Sequence, residues 1–344
     1  MKIALIADPE LPVPPLLYGG IERIIAMLVE SYIKLGHEVS LFAHQDSVTS
    51  AKLFAYPGQK SRKKSDVLKN GILINTELFK NKYDVIHSFG RLIYLSPQLP
   101  FGIPKIMSYQ REPTISQVRK VMSIAKKKSM VFTGCSGYIS NQILPYAPSY
   151  CIFNGVNLDN YKFEESIPFD APLVFLGRVE PIKGAHIAIL VAKATGKKLI
   201  IAGNIPSEHQ SYFENEIRPH LHDRITYIGP VNDVEKNTFL GQALAFLMPI
   251  EWEEPFGIVM AEALACGTPV IGFNRGSVPE VINNGKNGFR CDNVQEMIAS
   301  VSKIQEISRY DVRKDAESRF SSEIIVQQYL NLYISLINKN IKSE

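Results

Sequence analysis

The feature that most constrains the fold is a repeated pairing of short apolar, β-branched runs with longer segments of helical period. This pairing predicts βα units whose strands form a parallel sheet. An amphipathic helix at about 21–36 fits the same pattern. The predicted strands are 2–8, 38–44, 84–89, 105–109, 131–136 and 149–154 in the first half, and 173–178, 198–203, 225–229, 243–249 and 269–273 in the second. We therefore predict an α/β protein with two Rossmann-like, doubly wound parallel-sheet domains.

Two domains also fit the length of 344 residues, which exceeds the usual size of one domain. A polar, turn-rich stretch at 154–160 is predicted to be the linker, with domains at 1–163 and 164–320. Apolar residues at helical spacing predict a last helix within 321–344, long enough to cross back to the first domain. We expect the two sheets to face a central cleft, because ligands of such sheets bind beyond the carboxyl ends of the strands.

Composition excludes several classes of protein. With 45% apolar and 21% charged residues, the chain is not disordered, collagenous or a coiled coil. A net charge of +4 is too small to indicate a nucleic-acid partner. The four cysteines form no C-x-x-C pair, and no apolar run reaches the roughly 18 residues of a membrane-spanning helix. We expect a cytoplasmic protein without a zinc site or a disulfide framework.

Two segments of the first domain are rich in basic residues, 58–71 and 114–128. Charge runs usually lie on solvated surfaces, and that interpretation suffices for both segments. The alternative is that they dock the first domain onto an anionic acceptor, or peripherally onto the anionic inner face of the membrane.

The most informative segment is 254–271. Pro255 suits a first helical position and Gly267 suits the left-handed residue that ends a helix, which predicts a helix at about 256–266. At its start, backbone N–H groups are available to bind anionic or hydroxyl oxygens, and a glycine allows close approach. The residues concerned are Phe256, Gly257, Ile258 and Val259. This helix start is a candidate phosphate or sugar site.

Two carboxylates, Glu254 and Glu262, bracket the helix start at a separation of up to about 12 Å along the axis. They are too far apart to act as a paired acid and base, but they suit two points on one elongated ligand. Taken singly, Glu262 is better explained as a surface helix acid and Glu254 as an ordinary N-terminal charge favoured by the helix dipole.

A second cluster follows the strand 173–178, where Arg178 and Lys183 lie at the carboxyl end of a strand and near the next helix start. Bound phosphates are expected there in such folds. The chain has no D-x-D motif and no cluster with metal-ligand spacing, so we predict no metal and assign these cations to neutralising a diphosphate. Two solvated basic residues are the alternative.

A glycine pair, Gly19 and Gly20, places bare backbone at the start of the first helix. Tight-turn packing explains this pair equally well. The chain contains neither the G-x-G-x-x-G fingerprint nor a P-loop.

Together, these stretches resemble, in order and over nearly the whole chain, the GT4-type retaining glycosyltransferases, which have the GT-B fold. The matching stretches are Gly-Gly-Ile-Glu at 19–22, Asp-Val-Ile-His at 84–87, Asn-Gly-Val at 154–156, Gly-Arg-Val at 177–179 with Lys-Gly at 183–184, Gly229 with Val231, the E-x7-E segment at 254–262, and Gly-Thr-Pro-Val at 267–270.

The resemblance implies a hexosyltransferase whose second domain binds a nucleotide-diphosphate sugar without a metal ion. UDP is the frequent nucleotide in the family. It implies roles for the following residues: Arg178 and Lys183 for the diphosphate, Glu262 for the ribose, Glu254 with the backbone of Phe256, Gly257 and Ile258 for the transferring sugar, Gly20 for the phosphates and Val231 for the base. It also implies front-side attack, in which the leaving phosphate helps to take the acceptor proton.

The chain departs from the family on the acceptor side. Many members carry D-x-x-H-x-H, but Phe89 occupies the place of the second histidine, and Gln110 stands where another histidine is common. The acceptor-side candidates are His87, Gln110, Arg111 and Glu112. His87 is also explained as a satisfied strand residue. We expect the acceptor to be a saccharide, a lipid-linked molecule or a small molecule. Three alternative functions remain: a sugar-nucleotide epimerase, a phosphorylase and a non-catalytic sugar-nucleotide-binding protein.

Overall fold

The computed structural model describes residues 1–16 and 19–341; residues 17–18 and 342–344 lie outside the described residues. The chain divides into two compact units, Met1–Gly155 with the segment from Ser322 onward, and Val156–Ser321. The linker predicted at 154–160 spans this division, whereas residue 163, the predicted boundary, lies inside the second unit. The segment after Ser321 belongs to the first unit.

A seven-stranded parallel sheet forms the described core of the first unit. Its order is β3-β2-β1-β4-β5-β6-β7. The strands are β1 (Lys2–Ile6), β2 (Glu38–Ala43), β3 (Lys52–Ala55), β4 (Val85–Ser88), β5 (Lys105–Tyr109), β6 (Met130–Gly134) and β7 (Ser149–Cys151). The helices are α1 (Gly20–Lys34), α2 (Lys64–Lys80), α3 (Ile115–Ile124) and α4 (Gly137–Ile143), with a 3-10 helix at Leu92–Gln98.

A six-stranded parallel sheet forms the described core of the second unit. Its order is β10-β9-β8-β11-β12-β13. The strands are β8 (Leu173–Leu176), β9 (Leu199–Ala202), β10 (Ile225–Tyr227), β11 (Ala245–Met248), β12 (Val270–Phe273) and β13 (Gly288–Cys291). The helices are α5 (Ala185–Thr195), α6 (Gln210–Tyr212), α7 (Asp233–Gly241), α8 (Ile258–Ala265), α9 (Val278–Val281), α10 (Val294–Lys303) and α11 (Arg309–Phe320).

The last helix, α12 (Ser322–Ile341), packs against α1 within the first unit. Both helices bury apolar and aromatic side chains along one face. The contact includes a hydrogen bond of 3.0 Å between the hydroxyl groups of Tyr32 and Tyr333.

The strand orders of the two sheets confirm the two doubly wound parallel sheets predicted from the sequence.

Two strands were missed, β3 and β13. Each lies at the edge of its sheet and has only four residues. β3 is largely exposed and β13 contains a glycine and an arginine, so neither has the continuous apolar run that marks a buried strand. Register with the neighbouring strand, rather than local sequence, defines them.

Within the described residues, no helix combines the length and hydropathy required to cross a membrane.

Candidate active site

The candidate site lies where the strand order of the second sheet reverses. β8 and β11 are neighbours there, although β9 and β10 come between them in the chain. Ligands of doubly wound sheets bind beyond the carboxyl ends of the strands at such a point. The loops after these two strands are joined by a hydrogen bond of 2.8 Å from the Glu251 N–H to the Ile182 carbonyl. The fold therefore brings Arg178 and Lys183 onto one loop, beside the loop that carries Glu254.

Gly184 allows the two loops to approach closely. Its φ of 77° lies in the left-handed region. A Cβ atom at this position would lie 2.0 Å from the carbonyl oxygen of Pro249, so any other residue would push the loops apart. The 3-10 helix Pro181–Lys183 and α5 meet at this glycine, which therefore also fixes the position of Lys183.

Lys183 and Glu254 form an ion pair in the site. Lys183 Nζ lies 2.6 Å from Glu254 Oε2, and the two side chains are 17% and 11% exposed. The indole N–H of Trp252 donates to the same carboxylate oxygen at 3.0 Å, and Lys183 Nζ lies 4.6 Å from the centre of the Trp252 ring. An ammonium group and a carboxylate side by side can bind a phosphate oxygen and a sugar hydroxyl, respectively.

Trp252 was not identified from the sequence. The available signal was its position, since it lies two residues before Glu254 in a loop that follows a strand of the sheet. Aromatic side chains at such loops provide a flat apolar surface beside the polar groups of a ligand site.

Arg178 is held at the carboxyl end of β8 by a buried acid. Its Nη2 lies 2.7 Å from Glu180 Oε1, and His209 Nε2 lies 3.5 Å from the other oxygen of Glu180. The Arg178 side chain remains partly exposed. The guanidinium is therefore positioned by the fold and accessible to an anionic ligand.

Helix α8 provides the predicted helix start. It begins at Ile258 after Gly257, whose φ of 68° is left-handed, and among the described residues no side chain caps it. Its first N–H groups therefore have no side-chain acceptor, and the helix dipole favours an anion beside them. Phe256 is buried and packs edge-on against Phe320, with ring centres 5.9 Å apart, so its contribution to binding is limited to its backbone.

The boundaries of this helix differ slightly from the prediction. Gly267 has the predicted left-handed conformation, with a φ of 80°. Pro255, however, lies before the N-cap Gly257 and not at the first helical position, so the helix begins at Ile258 instead of residue 256. The left-handed glycine at the N-cap starts the helix later than the proline indicated. Val259, in the first turn, is half-buried.

Two arginines hold the opposite end of α8. Arg313 Nη1 donates to the carbonyl of Ala265 at 2.6 Å, and Arg309 Nη2 donates to the Thr268 hydroxyl at 2.9 Å. Cations at the carboxyl end of a helix complement its dipole. These contacts could not be predicted from the sequence, because both arginines lie on α11, far along the chain.

Glu262 is buried in the second unit and has two partners. It is 2% exposed. Its Oε1 accepts a hydrogen bond of 2.6 Å from the Tyr161 hydroxyl and lies 2.5 Å from Lys236 Nζ. Neither partner was identified from the sequence, since a tyrosine and a lysine far apart in the chain carry no shared pattern. Ribose binding by Glu262 stays a prediction.

The remaining donor-side candidates lie on loops. Val231 is half-buried and follows β10 after Gly229, which has a φ of 79°. In the first unit, Gly19 is the N-cap of α1 and Gly20 its first residue. Glu22, in the same turn, is buried, and burial raises the pKa of its carboxyl group. An acid therefore already lies at this helix start, and phosphate contacts of the two glycines stay a prediction.

His87 does not face solvent. Its ring is fully buried, with Nδ1 2.5 Å from the Tyr333 hydroxyl and Nε2 2.6 Å from Ser108 Oγ. Ser108 continues this buried chain to Thr133, with 2.5 Å between their oxygens. Both ring nitrogens are thus used within the unit. The structure supports the interpretation of His87 as a satisfied strand residue over that of an acceptor contact.

Burial of His87 predicts a pH dependence of stability. Desolvation lowers its pKa to about 3, below the unfolded value of about 6.5. The unfolded chain therefore takes up the proton first, so this contribution is complete above about pH 6.5 and is lost as the pH falls toward 3, by at most about 1.4 kcal/mol per pH unit. Urea unfolding at about pH 7 and about pH 5 should show a larger loss in wild type than in His87→Gln. Equal losses would contradict this account.

The other acceptor-side candidates line a cavity of the first unit. Its volume is about 1370 Å³, and Gln110, Arg111 and Glu112 lie on its wall with Phe89. Gln110 Oε1 accepts a hydrogen bond of 2.8 Å from Asn154, and Glu112 accepts one of 2.5 Å from the Tyr138 hydroxyl. The structure therefore brings these three residues to one concave surface, which His87 does not reach.

Among the described residues, no group of three or more His, Cys, Asp or Glu side chains is arranged to hold a metal ion.

Comparison with known proteins gives a consistent picture. Spore coat protein SA of Bacillus subtilis (strain 168) is 25% identical to this chain, over 97% of the chain and 99% of that protein. The structure of sucrose-phosphate synthase from Thermosynechococcus elongatus has a TM-score of 0.82 at 18% identity, covering 98% of this chain and 100% of that one. The Anabaena protein HepE, solved in complex with UDP and glucose, has a TM-score of 0.73 at 18% identity, covering 97% and 100%.

The family model described as glycosyl transferases group 1 matches residues 159–320, which make up nearly all of the second unit. The donor-side residues of the candidate site lie in this range, apart from Gly19 and Gly20. The chain therefore has the GT-B fold, with two Rossmann-like α/β units, and its second unit matches the group 1 glycosyl transferases.

Proposed function

We propose that the protein is a retaining glycosyltransferase, a hexosyltransferase that moves a sugar from a nucleotide-diphosphate sugar to an acceptor hydroxyl. The observation that carries this proposal is the cluster of Lys183, Glu254 and Trp252 at the switch point of the second sheet. Arg178 and the uncapped start of α8 belong to the same carboxyl edge of that sheet. The family match of residues 159–320 supports sugar transfer.

The chemistry follows from where charge develops. As the glycosidic bond to the diphosphate breaks, negative charge grows on the leaving phosphate. Fixed cations and helix N–H groups stabilise that charge without reorganising. We assign this role to Arg178, Lys183 and the first turn of α8, and we assign contact with the sugar hydroxyls to Glu254. The leaving phosphate takes the acceptor proton, so no separate strong base is required.

The donor is proposed to be a UDP-sugar. The support is that the similar Anabaena structure contains UDP and glucose. In this proposal Glu262 contacts the ribose, Val231 the base, and Gly19 and Gly20 the phosphates. A thermal-shift panel of UDP-, GDP- and ADP-glucose tests the nucleotide, because a ligand that binds only the folded state raises the melting temperature. A shift with GDP- or ADP-glucose alone would contradict the choice of UDP.

Turnover separates transfer from the alternatives. The protein is incubated with the donor that gives the largest thermal shift, and nucleotide release is measured with and without candidate acceptors. Release that depends on an acceptor supports transfer. Conversion of the donor into another sugar nucleotide would support an epimerase. Nucleotide release that requires phosphate would support a phosphorylase, and donor binding without release would support a non-catalytic protein.

We further propose that transfer requires no metal. Because Arg178 and Lys183 supply the positive charge that a divalent ion supplies elsewhere, EDTA should change the rate by less than about twofold. The control is a parallel reaction with added MgCl₂. Loss of activity in EDTA that MgCl₂ restores would refute this proposal.

We propose a cytoplasmic protein. The basic residues of segments 58–71 and 114–128 are the support for placing it at the anionic inner face of the membrane.

A further inference from the structure

The cavity of the first unit is a groove between two helices. Its walls are α2 and α3, and its floor is the 3-10 helix Leu92–Gln98. It lies outside the donor site, on a different unit of the chain.

Large apolar side chains line this groove and are exposed to solvent. On α2, Leu68 is 65%, Ile72 59% and Phe79 57% exposed, and their spacing places them along one face of the helix. Ile93 of the floor and Ile124 of α3 are also exposed. Isolated exposed apolar residues are ordinary, but a contiguous concave set indicates a ligand or partner.

Four of the five basic residues that line the groove lie toward one end. Arg62 and Lys64 stand at the start of α2, Arg91 follows β4 and Arg111 follows β5. In a parallel βα unit the helix runs antiparallel to the strands, so these residues lie at the carboxyl edge of the sheet. The Arg91 guanidinium donates to the Ser61 carbonyl, which joins the end of β4 to the start of α2.

The other end is apolar. Phe79 and Ile124 lie in the last turns of α2 and α3, and Leu99 follows the floor helix. Phe79 meets Phe101 edge-on, with ring centres 5.5 Å apart. One cation, Lys120, lies between the two ends on α3, and Glu112 is the sole carboxylate among the described lining residues.

We propose that this groove binds an anionic amphiphile, with its apolar chain between α2 and α3 and its phosphate at the cationic end. The polarity of the groove gives the ligand one orientation, because the phosphate matches the arginines and the chain matches Leu68, Ile72 and Phe79. The proposal rests on the proposed function in one respect, since the amphiphile is then the acceptor and its head lies at the sheet edge that holds Gln110.

The alkyl chain of a single amphiphile fits the groove better than a flat membrane surface does. The lining is concave and encloses about 1370 Å³, beyond the volume of roughly 300–1,000 Å³ that is usual for a small-molecule pocket. An elongated ligand accounts for this size.

The test measures binding of dodecyl phosphate by isothermal titration calorimetry, below its critical micelle concentration. Butyl phosphate and dodecyl maltoside are the matched probes that lack the long chain and the anionic head. We expect dodecyl phosphate to bind at least about tenfold more tightly than either. Ile72→Glu and Lys64→Glu, both at exposed positions, should each weaken binding at least about tenfold. Leu190→Glu, at an exposed apolar position on α5 of the second unit, should leave it unchanged.

Other occupants give other results. Binding to anionic vesicles without binding of monomeric dodecyl phosphate would overturn the proposal in favour of a membrane surface. A dimer in light scattering that Ile72→Glu converts to a monomer, again without amphiphile binding, would overturn it in favour of a second copy. Equal effects of Ile72→Glu and Leu190→Glu would also overturn it.

A donor thermal shift measured on the same samples separates this proposal from the proposed function. If the donor binds and dodecyl phosphate does not, the groove proposal fails and the proposed function stands. If dodecyl phosphate binds in the predicted way and no donor binds, the groove proposal stands as a lipid site and the proposed function fails.

Discussion

Lys183→Ala is expected to lower kcat/KM for the sugar-nucleotide donor by about 100- to 1000-fold, which is the loss typical of removing one group that stabilises developing charge. Glu254→Gln should cause a loss of similar size, because the amide has one neutral acceptor oxygen where the carboxylate has two charged ones, so its hydrogen bonds with sugar hydroxyls are weaker. The reason is geometric: both groups converge on one point beside Trp252. Steady-state kinetics with saturating acceptor measures both effects.

Folding must be separated from chemistry in this comparison. Without Lys183, the Trp252 N–H is the one remaining side-chain partner of the largely buried Glu254 among the described residues, and an unsatisfied buried group costs about 1–3 kcal/mol. Rates are therefore compared at a temperature at which circular dichroism shows each variant folded. The matched control is Lys198→Ala, which removes an exposed lysine of the same unit from its pair with Asp170. Near-wild-type turnover by Lys183→Ala, or an equal loss in Lys198→Ala, would count against the assignment.

Lys236→Ala is expected to destabilise the second unit by about 3–5 kcal/mol, because it leaves the buried Glu262 without its counter-ion. Tyr161 would still donate one hydrogen bond, which does not neutralise the charge. Urea unfolding gives the change in free energy, since the midpoint falls while the slope stays constant.

The double variant Lys236→Met/Glu262→Gln should recover most of that loss, because neither side chain then carries a buried charge. Lys314→Ala is the control, since its pair with Glu317 is exposed and exposed pairs contribute about 0–1 kcal/mol. If Lys236→Ala and Lys314→Ala lose the same small amount of stability, the buried pair of Lys236 and Glu262 does not stabilise the second unit more than an exposed pair does.

The fold was predictable where buried parallel strands leave a local signature. β8 and β11 are continuous apolar runs, and the strands predicted at 173–178 and 243–249 contain them. The edge strands β3 and β13 were not found, because edge position and pairing register are tertiary properties. Helix α8 was placed well at its end by Gly267 but not at its start, where a left-handed glycine overrode the proline signal.

The candidate site was predictable in part. Lys183 and Glu254 were singled out by their positions after strands, but their direct pairing was not, since it depends on β8 and β11 being neighbours. The partners of Glu262 come from distant elements and leave no local pattern. The groove of the first unit was not predicted for a similar reason, because basic residues alone do not reveal that an apolar face lies between them.

A crystal structure of the protein with the donor selected by the thermal-shift panel tests the central claim most directly. The account predicts that the diphosphate lies within hydrogen-bonding distance of Arg178, Lys183 and the first N–H groups of α8, with Glu254 on the sugar. A donor bound away from these groups, with Lys183 and Glu254 still paired to each other, would contradict it.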